Sequence, residues 1–268
     1  MGIKTNLVLG GSGTIGSALC NHLEKKGEKV VNLDLKTGFD IRFHSLEPFK
    51  KVDYVWFLAW EVGGAKFLTK DSNLINIIHN NTILCEKVFS FLNDTHIPFM
   101  FTSSQLATTE TPYGITKLLG EKWTQILNGQ TVRFWNVYGW EEPGERSHVI
   151  PDLILQALTK KSIYLMTNGQ EERQFIYMDD CVENMVLVRN NNIKKTDITT
   201  GIWISIEKIA QIIGKALNVP VILGENKGYF KAVDPIYINP NCQYETTIEQ
   251  GIFKIIENAK LYLNKLNN

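Results

Sequence analysis

Short, almost unbroken apolar runs alternate with amphipathic segments through the first 140 residues. Asn6–Leu9, Lys29–Leu33, Asp53–Leu58, Phe99–Ser103 and Gln130–Trp135 read as strands. Thr14–Lys26, a segment from about Leu74 to Leu92, and the segment carrying Tyr113 and Lys117 read as helices. Near-continuous apolar runs suit strands covered on both faces, and strands alternating with helices predict a parallel sheet flanked by helices. The expected fold class is therefore α/β, a Rossmann-type doubly wound sheet. Beyond Gly139 the rhythm changes. The polar, turn-forming stretch Glu141–Ser147 opens a region in which Val149–Leu158, Asp180–Val188, Ser205–Leu217 and Ile248–Leu263 are predicted helices. Ile163–Met166 and Phe175–Met178 are predicted short strands there. These patterns divide the chain into a dinucleotide-binding domain over 1–140, to which about 174–204 return, and a smaller, mostly helical substrate lobe over 141–268.

Composition narrows the partners. Lys plus Arg and Asp plus Glu both total 28 in 268 residues, so net charge gives no reason to expect nucleic acid. The four cysteines, Cys20, Cys85, Cys181 and Cys242, are far apart and lack metal-ligand spacing. They read as reduced thiols of a cytoplasmic protein, three of them in apolar surroundings, and no metal site is expected. The chain runs straight into a strand, which predicts no signal peptide, and no apolar run approaches the roughly 18 residues of a membrane span.

Two motifs carry chemistry. Gly10-Gly-Ser-Gly13-Thr14-Ile15-Gly16 follows a strand and opens a helix, the setting in which glycines let backbone approach a pyrophosphate and a helix N-terminus supplies amides. Asp34 ends the next strand, where a carboxylate accepts from the adenosine ribose and repels a 2′-phosphate; NAD is expected over NADP. Asp40 and Ile41 are then expected near the adenine, with Leu58, Ala59 and Trp60 passing beneath the cofactor. The second motif is Tyr113-Gly-Ile-Thr-Lys117, whose tyrosine and lysine share one helix face. A tyrosine titrates near 10, and an ammonium beside it favours phenolate. Lys117 is expected to lower Tyr113 and to hold the nicotinamide ribose, while Ser104, at a strand end, bonds the substrate oxygen with Ser103 as its structural neighbour.

The ordered set resembles the extended short-chain dehydrogenases/reductases, specifically the NAD-dependent nucleotide-sugar epimerases and dehydratases. It comprises Gly10–Gly16, Asp34, Asp40-Ile41, Phe101–Ser104, Tyr113–Lys117, Arg133–Gly139, His148–Pro151 and Arg173–Asp180. By that resemblance Ser104, Tyr113 and Lys117 are the catalytic triad, Asn136 contacts substrate, and Arg173 grips the nucleotide diphosphate; an alternative for Arg173 is a surface salt bridge. The resemblance also implies a homodimer through the helices at Leu74–Leu92 and Tyr113–Leu127. Three departures matter. The Ser104–Tyr113 interval is short, trimming a loop of the sugar pocket. Gln105-Leu106 stand where dehydratases carry an Asp-Glu pair, so expulsion of water is not expected. The GDP-fucose synthase branch pairs a histidine at the place of His148 with a cysteine at the place of Gln105; without it, His148 is either a substrate hydrogen-bonding group or a helix-start residue.

The expected activity is nucleotide-sugar epimerisation by transient oxidation, at C4, with NAD bound. Net reduction or dehydrogenation of a nucleotide sugar with the same three residues is the alternative. A binding or sensing protein without turnover is a third.

Overall fold

The computed structural model describes residues 2–228 and 234–266. In chain order the described elements are β1 (Thr5–Leu9), α1 (Thr14–Lys25), β2 (Lys29–Leu33), β3 (Tyr54–Phe57), α2 (Ala65–Leu68), α3 (Asp71–Thr95), β4 (Phe99–Ser104), α4 (Pro112–Ile126) and β5 (Gln130–Phe134). There follow β6 (Asn136–Tyr138), α5 (Val149–Lys160), β7 (Ile163–Tyr164), β8 (Glu172–Tyr177), α6 (Met178–Asn190), β9 (Lys195–Ile198), β10 (Trp203–Ser205), α7 (Ile206–Leu217), β11 (Val221–Ile222) and α8 (Ile248–Leu266).

Alternation along the strands builds two cores. Leu7, Leu9, Val55, Phe57, Phe99 and Phe101 pack under α3, whereas Val8, Tyr54, Trp56, Met100 and Val132 pack with Leu19 and Leu23 of α1 and Val182 and Met185 of α6. A strand covered on both faces is apolar at nearly every position, which is why the runs were legible. The six strands lie in the order β2-β1-β3-β4-β5-β9, all parallel. Chain direction through the sheet reverses at β1, whose neighbours are β2 and β3, and ligands of such sheets bind outside the strand C-termini at that crevice.

The structure corrects several expectations. β8 does not enter the main sheet; it pairs parallel with β6 and antiparallel with β10 in a separate three-stranded sheet. Of the 174–204 stretch, α6 packs on α1 and β9 pairs with β5. β9 went unpredicted because Lys195-Thr-Asp-Ile198 has a single large apolar residue; its register comes from β5 and from the Tyr237 carbonyl, which accepts the Asp197 amide at 2.8 Å. β4 extends through Ser104, Met178 opens α6 instead of ending a strand, and β7 stops at Tyr164. The third core joins Tyr138, Phe175 and Tyr177 to α5, α7 and α8 through Ile150, Ile154, Ile209, Ile213, Ile252 and Ile255.

Candidate active site

Glycine is required twice in the first turn. Gly10 has φ +87° and abuts the Ala59 backbone, where a Cβ would stand 2.7 Å from the Ala59 nitrogen. A Cβ on Gly16 would overlap the Gly10 carbonyl oxygen. Gly13 caps α1 with no side-chain hydrogen bond, so the leading amides of Thr14, Ile15 and Gly16 meet no capping side chain. Asp34 ties the second strand to this turn: its carboxylate accepts the Ser12 amide at 3.0 Å and the Lys36 amide at 2.8 Å. The Leu58 and Ala59 amides both donate to the Leu9 carbonyl, at 2.9 and 2.7 Å, which presses that loop beneath the turn. This cradle, closed to a Cβ at Gly10 and Gly16 and headed by a twelve-residue helix, fits a dinucleotide pyrophosphate.

Asp40 and Ile41 differ in what they offer. The Asp40 carboxylate is gripped by the Arg42 guanidinium at 2.7 Å, which holds it below the ordinary carboxylate range, and Ile41 is buried in the core beside Leu33 and Leu46.

Ser104, Tyr113 and Lys117 converge at the ends of β4 and α4. Ser104 accepts the Leu106 amide at 3.2 Å, and its hydroxyl favours the ionised form of Tyr113. The short Ser104–Tyr113 interval is a single 3₁₀ turn folded back on α4, so tightly that a Cβ on Gly114 would stand 2.7 Å from the Thr109 carbonyl oxygen. Thr111 caps α4, accepting the Gly114 amide at 3.1 Å. Lys117 is 3% exposed and donates to the Thr102 carbonyl at 2.6 Å.

The electrostatics here correct the expected tuning. Burial pushes the Tyr113 phenol up, opposed by the Ser104 hydrogen bond, and Lys117 is not what governs it. Burial in turn pushes Lys117 down to about 7, against the pull of Cys85 and Glu121. Desolvation disfavours both charged forms, the phenolate and the ammonium alike. Ser103 turns from Tyr113 to the Glu121 carboxylate. It donates at 2.7 Å to Glu121, whose buried carboxylate also pairs with Arg133 at 2.6 Å and Lys195 at 2.7 Å.

The three substrate-side residues lie on different elements. Asn136 on β6 donates to the Gln174 carbonyl at 3.1 Å, joining it to β8. His148 stands at the N-cap of α5, half exposed, its Nδ1 3.0 Å from Glu141. Burial lowers it, but the Glu141 hydrogen bond and charge outweigh that and raise it overall. Arg173 on β8 donates to the Glu172 carbonyl at 2.7 Å, and burial lowers it from the ordinary arginine value.

Sequence reasoning missed the fixtures around this loop. Glu61 pairs with Arg146, whose guanidinium lies 4.4 Å from the Phe67 ring centre, and Gly64 donates to the Arg146 carbonyl at 3.0 Å. Asn80 donates to Glu61 at 3.2 Å and accepts from Arg42 at 2.5 Å. Gly63-Gly64 beside a polar loop was the available signal; which charges would meet across it was not.

With that geometry in place, the chain fits a known class of enzyme. Residues 6–201 match the profile described as the NAD dependent epimerase/dehydratase family, and the chain belongs to that family. Its cofactor is NAD. It is 28% identical over 203 residues to a UDP-2-acetamido-2,6-beta-L-arabino-hexul-4-ose reductase of Pseudomonas aeruginosa, covering 70% of this chain and 50% of the relative. The chain thus spans about half the length of that relative. It is 27% identical over 229 residues to an uncharacterized UDP-glucose epimerase of Bacillus subtilis, covering 68% of this chain and 71% of the relative. A UDP-glucose 4-epimerase of Thermotoga maritima, solved with UDP-glucose, superposes with a TM-score of 0.81 at 19% identity, covering 97% of this chain and 99% of that one. The family holds epimerases, reductases and decarboxylases. Among the described residues no helix is long and apolar enough to cross a membrane, and no cluster of metal-ligating side chains occurs.

Proposed function

We propose that this enzyme is a nucleotide-sugar epimerase that inverts a carbon, C4, of a UDP-hexose through a transient keto-sugar. The observation that carries the reading is the convergence of Ser104 at the end of β4 with Tyr113 and Lys117 of α4, the Lys117 ammonium lying 5.8 Å from the Tyr113 ring centre and bonded to the Thr102 carbonyl of the same strand. NAD, when bound, supplies the acceptor and later the donor of hydride. Tyr113 takes the proton of the sugar hydroxyl and later returns it, and Ser104 holds the oxygen as it becomes a carbonyl. Lys117, anchored on the Thr102 carbonyl, holds the ribose, and the Ser104 hydroxyl is the group that opposes the rise of the Tyr113 phenol. Asp34 binds the adenosine ribose, Asn136 and His148 contact the sugar, and Arg173 pairs with the diphosphate, a planar donor fork suited to phosphate oxygens. Names of relatives that act on UDP sugars support the nucleotide.

A second reading, net reduction of a keto-sugar, is supported by the Pseudomonas relative, which is named a reductase. Denaturing the purified protein and identifying the released dinucleotide separates the two. Stoichiometric NAD or NADH supports internal hydride return. An empty protein that turns over only with added NADPH contradicts it.

The same reading includes a second copy of the chain. Ile75 and Ile78 of α3 and Ile115, Leu118, Leu119 and Ile126 of α4 are exposed apolar residues at helical spacing. They support a homodimer built on these two helices. A monomeric mass by sedimentation at micromolar concentration would contradict it.

A further inference from the structure

The face of Trp60 lies against the buried lysine. Lys117 Nζ is 4.2 Å from the Trp60 ring centre, closer than to Phe101 at 5.0 Å or Tyr113 at 5.8 Å. A cation within about 6 Å of an aromatic face is attracted by the ring quadrupole, most strongly by indole. Trp60 follows directly on Ala59, whose backbone fills the space beside Gly10, so the indole joins the glycine turn to the lysine. Edge contacts with Phe57 at 5.7 Å and Phe101 at 5.2 Å fix the ring. Its Nε1 is buried and has no hydrogen-bond partner among the described residues, so packing alone orients it.

We propose that Trp60 is a positioning residue whose indole face holds the Lys117 ammonium against the Thr102 carbonyl at the floor of the cofactor cleft. The groups around that ammonium are the Thr102 carbonyl from β4, Cys85 from α3, and Tyr113 and Glu121 from α4. Burial keeps the Cys85 thiol protonated, pushing it up to about 12. The Glu121 carboxylate is committed to Arg133, Lys195 and Ser103. Among the described residues Lys117 therefore has no carboxylate of its own, and beyond the Thr102 carbonyl the indole face is the nearest aromatic source of negative potential. The proposal rests on reading Lys117 as the lysine that serves the cofactor, but the hold itself is measurable without that reading.

The test is a pH titration of cofactor-free protein carrying [ε-¹³C]lysine, with the Lys117 resonance assigned by its loss in Lys117→Met. Removing the ring in Trp60→Leu is expected to lower the Lys117 midpoint by about one pH unit, the scale of one desolvated cation–π contact. Trp60→Phe, which breaks no hydrogen bond within the described chain, is expected to lower it less; it decides alone if Trp60→Leu does not fold. A midpoint that stays or rises in both variants overturns the proposal, since a rise would mean that the ring acts by excluding water. NAD affinity measured alongside is expected to weaken several-fold in Trp60→Leu. If the midpoint falls and NAD affinity does not change, the indole holds the lysine, and it is the cofactor role of Lys117 that fails.

Discussion

The Lys117 ammonium donates at 2.6 Å to the carbonyl oxygen of Thr102, the residue two before Ser104 on β4. The strand that presents Ser104 thus also anchors the lysine of α4. A carbonyl facing a parallel sheet's C-terminal crevice has no strand beyond it to satisfy it, and a buried ammonium needs an acceptor. The pairing answers both needs and brings helix and strand into one site.

Replacing Tyr113 by Phe removes the proton acceptor and little else. Turnover of a UDP-hexose should fall by about 10²–10⁴-fold, the usual worth of a positioned acid-base group. NAD affinity, measured by calorimetry on the same preparation, should be nearly unchanged. Retention of full turnover would remove Tyr113 from the mechanism.

Lys117 makes the stability of the cofactor-free protein depend on pH in a stated direction. Its folded-state midpoint of about 7 lies below the ordinary lysine value near 10.4. Between those values the unfolded chain carries a proton that the folded chain has released, so stability rises with pH across that window and falls as pH drops toward 7. Other groups titrate in the same range, and the difference between wild type and Lys117→Met isolates this one. Relative to wild type, Lys117→Met should gain most in melting temperature near pH 7 and least near pH 10. A difference independent of pH would contradict the burial assigned to the ammonium.

Gly16→Ala should abolish NAD binding. The new methyl must displace the Gly10 carbonyl, and overpacking of this kind costs about 1–3 kcal/mol. A protein still folded by circular dichroism but silent in NAD calorimetry is the expected result.

The Glu121 cluster should be structural. Glu121→Gln leaves the buried Arg133 and the partly buried Lys195 without their shared carboxylate, which costs about 3–5 kcal/mol for a buried pair broken on one side. Urea unfolding should register that loss, while kcat per folded molecule stays near wild type. A variant of normal stability and reduced kcat would instead put Glu121 in the catalytic machinery.

Arg173→Lys tests the diphosphate contact. Exchanging a planar fork for a point charge should raise the KM for the nucleotide sugar roughly tenfold, about 1.4 kcal/mol, with kcat little changed. An unaltered KM would favour the surface-contact alternative.

The sheet and its cofactor turn were legible because both depend on local chemistry. A strand buried on two faces is apolar throughout, and the φ of Gly10 admits few residues other than glycine. β9 was not legible, because Lys195–Ile198 is a strand by virtue of its neighbours. The membership of β8 was hidden for a similar reason: its apolar run suits any buried strand, and pairing with β6 is settled across 39 positions of chain, from Asn136 to Phe175. Within the site, Ser104, Tyr113 and Lys117 stood out by spacing. The sign of the tuning between Tyr113 and Lys117 did not, since it follows from how completely both are enclosed. Trp60 was expected beneath the cofactor with Leu58 and Ala59, but the contact of its ring with the lysine was not legible, since it joins residues 57 positions apart.

The most direct test of the account is turnover of UDP-hexose deuterated at C4 with no cofactor added. The account predicts the C4 epimer with deuterium retained at C4 and no accumulation of free NADH. Loss of deuterium to an external dinucleotide pool, or conversion only when NADPH is supplied, would contradict it.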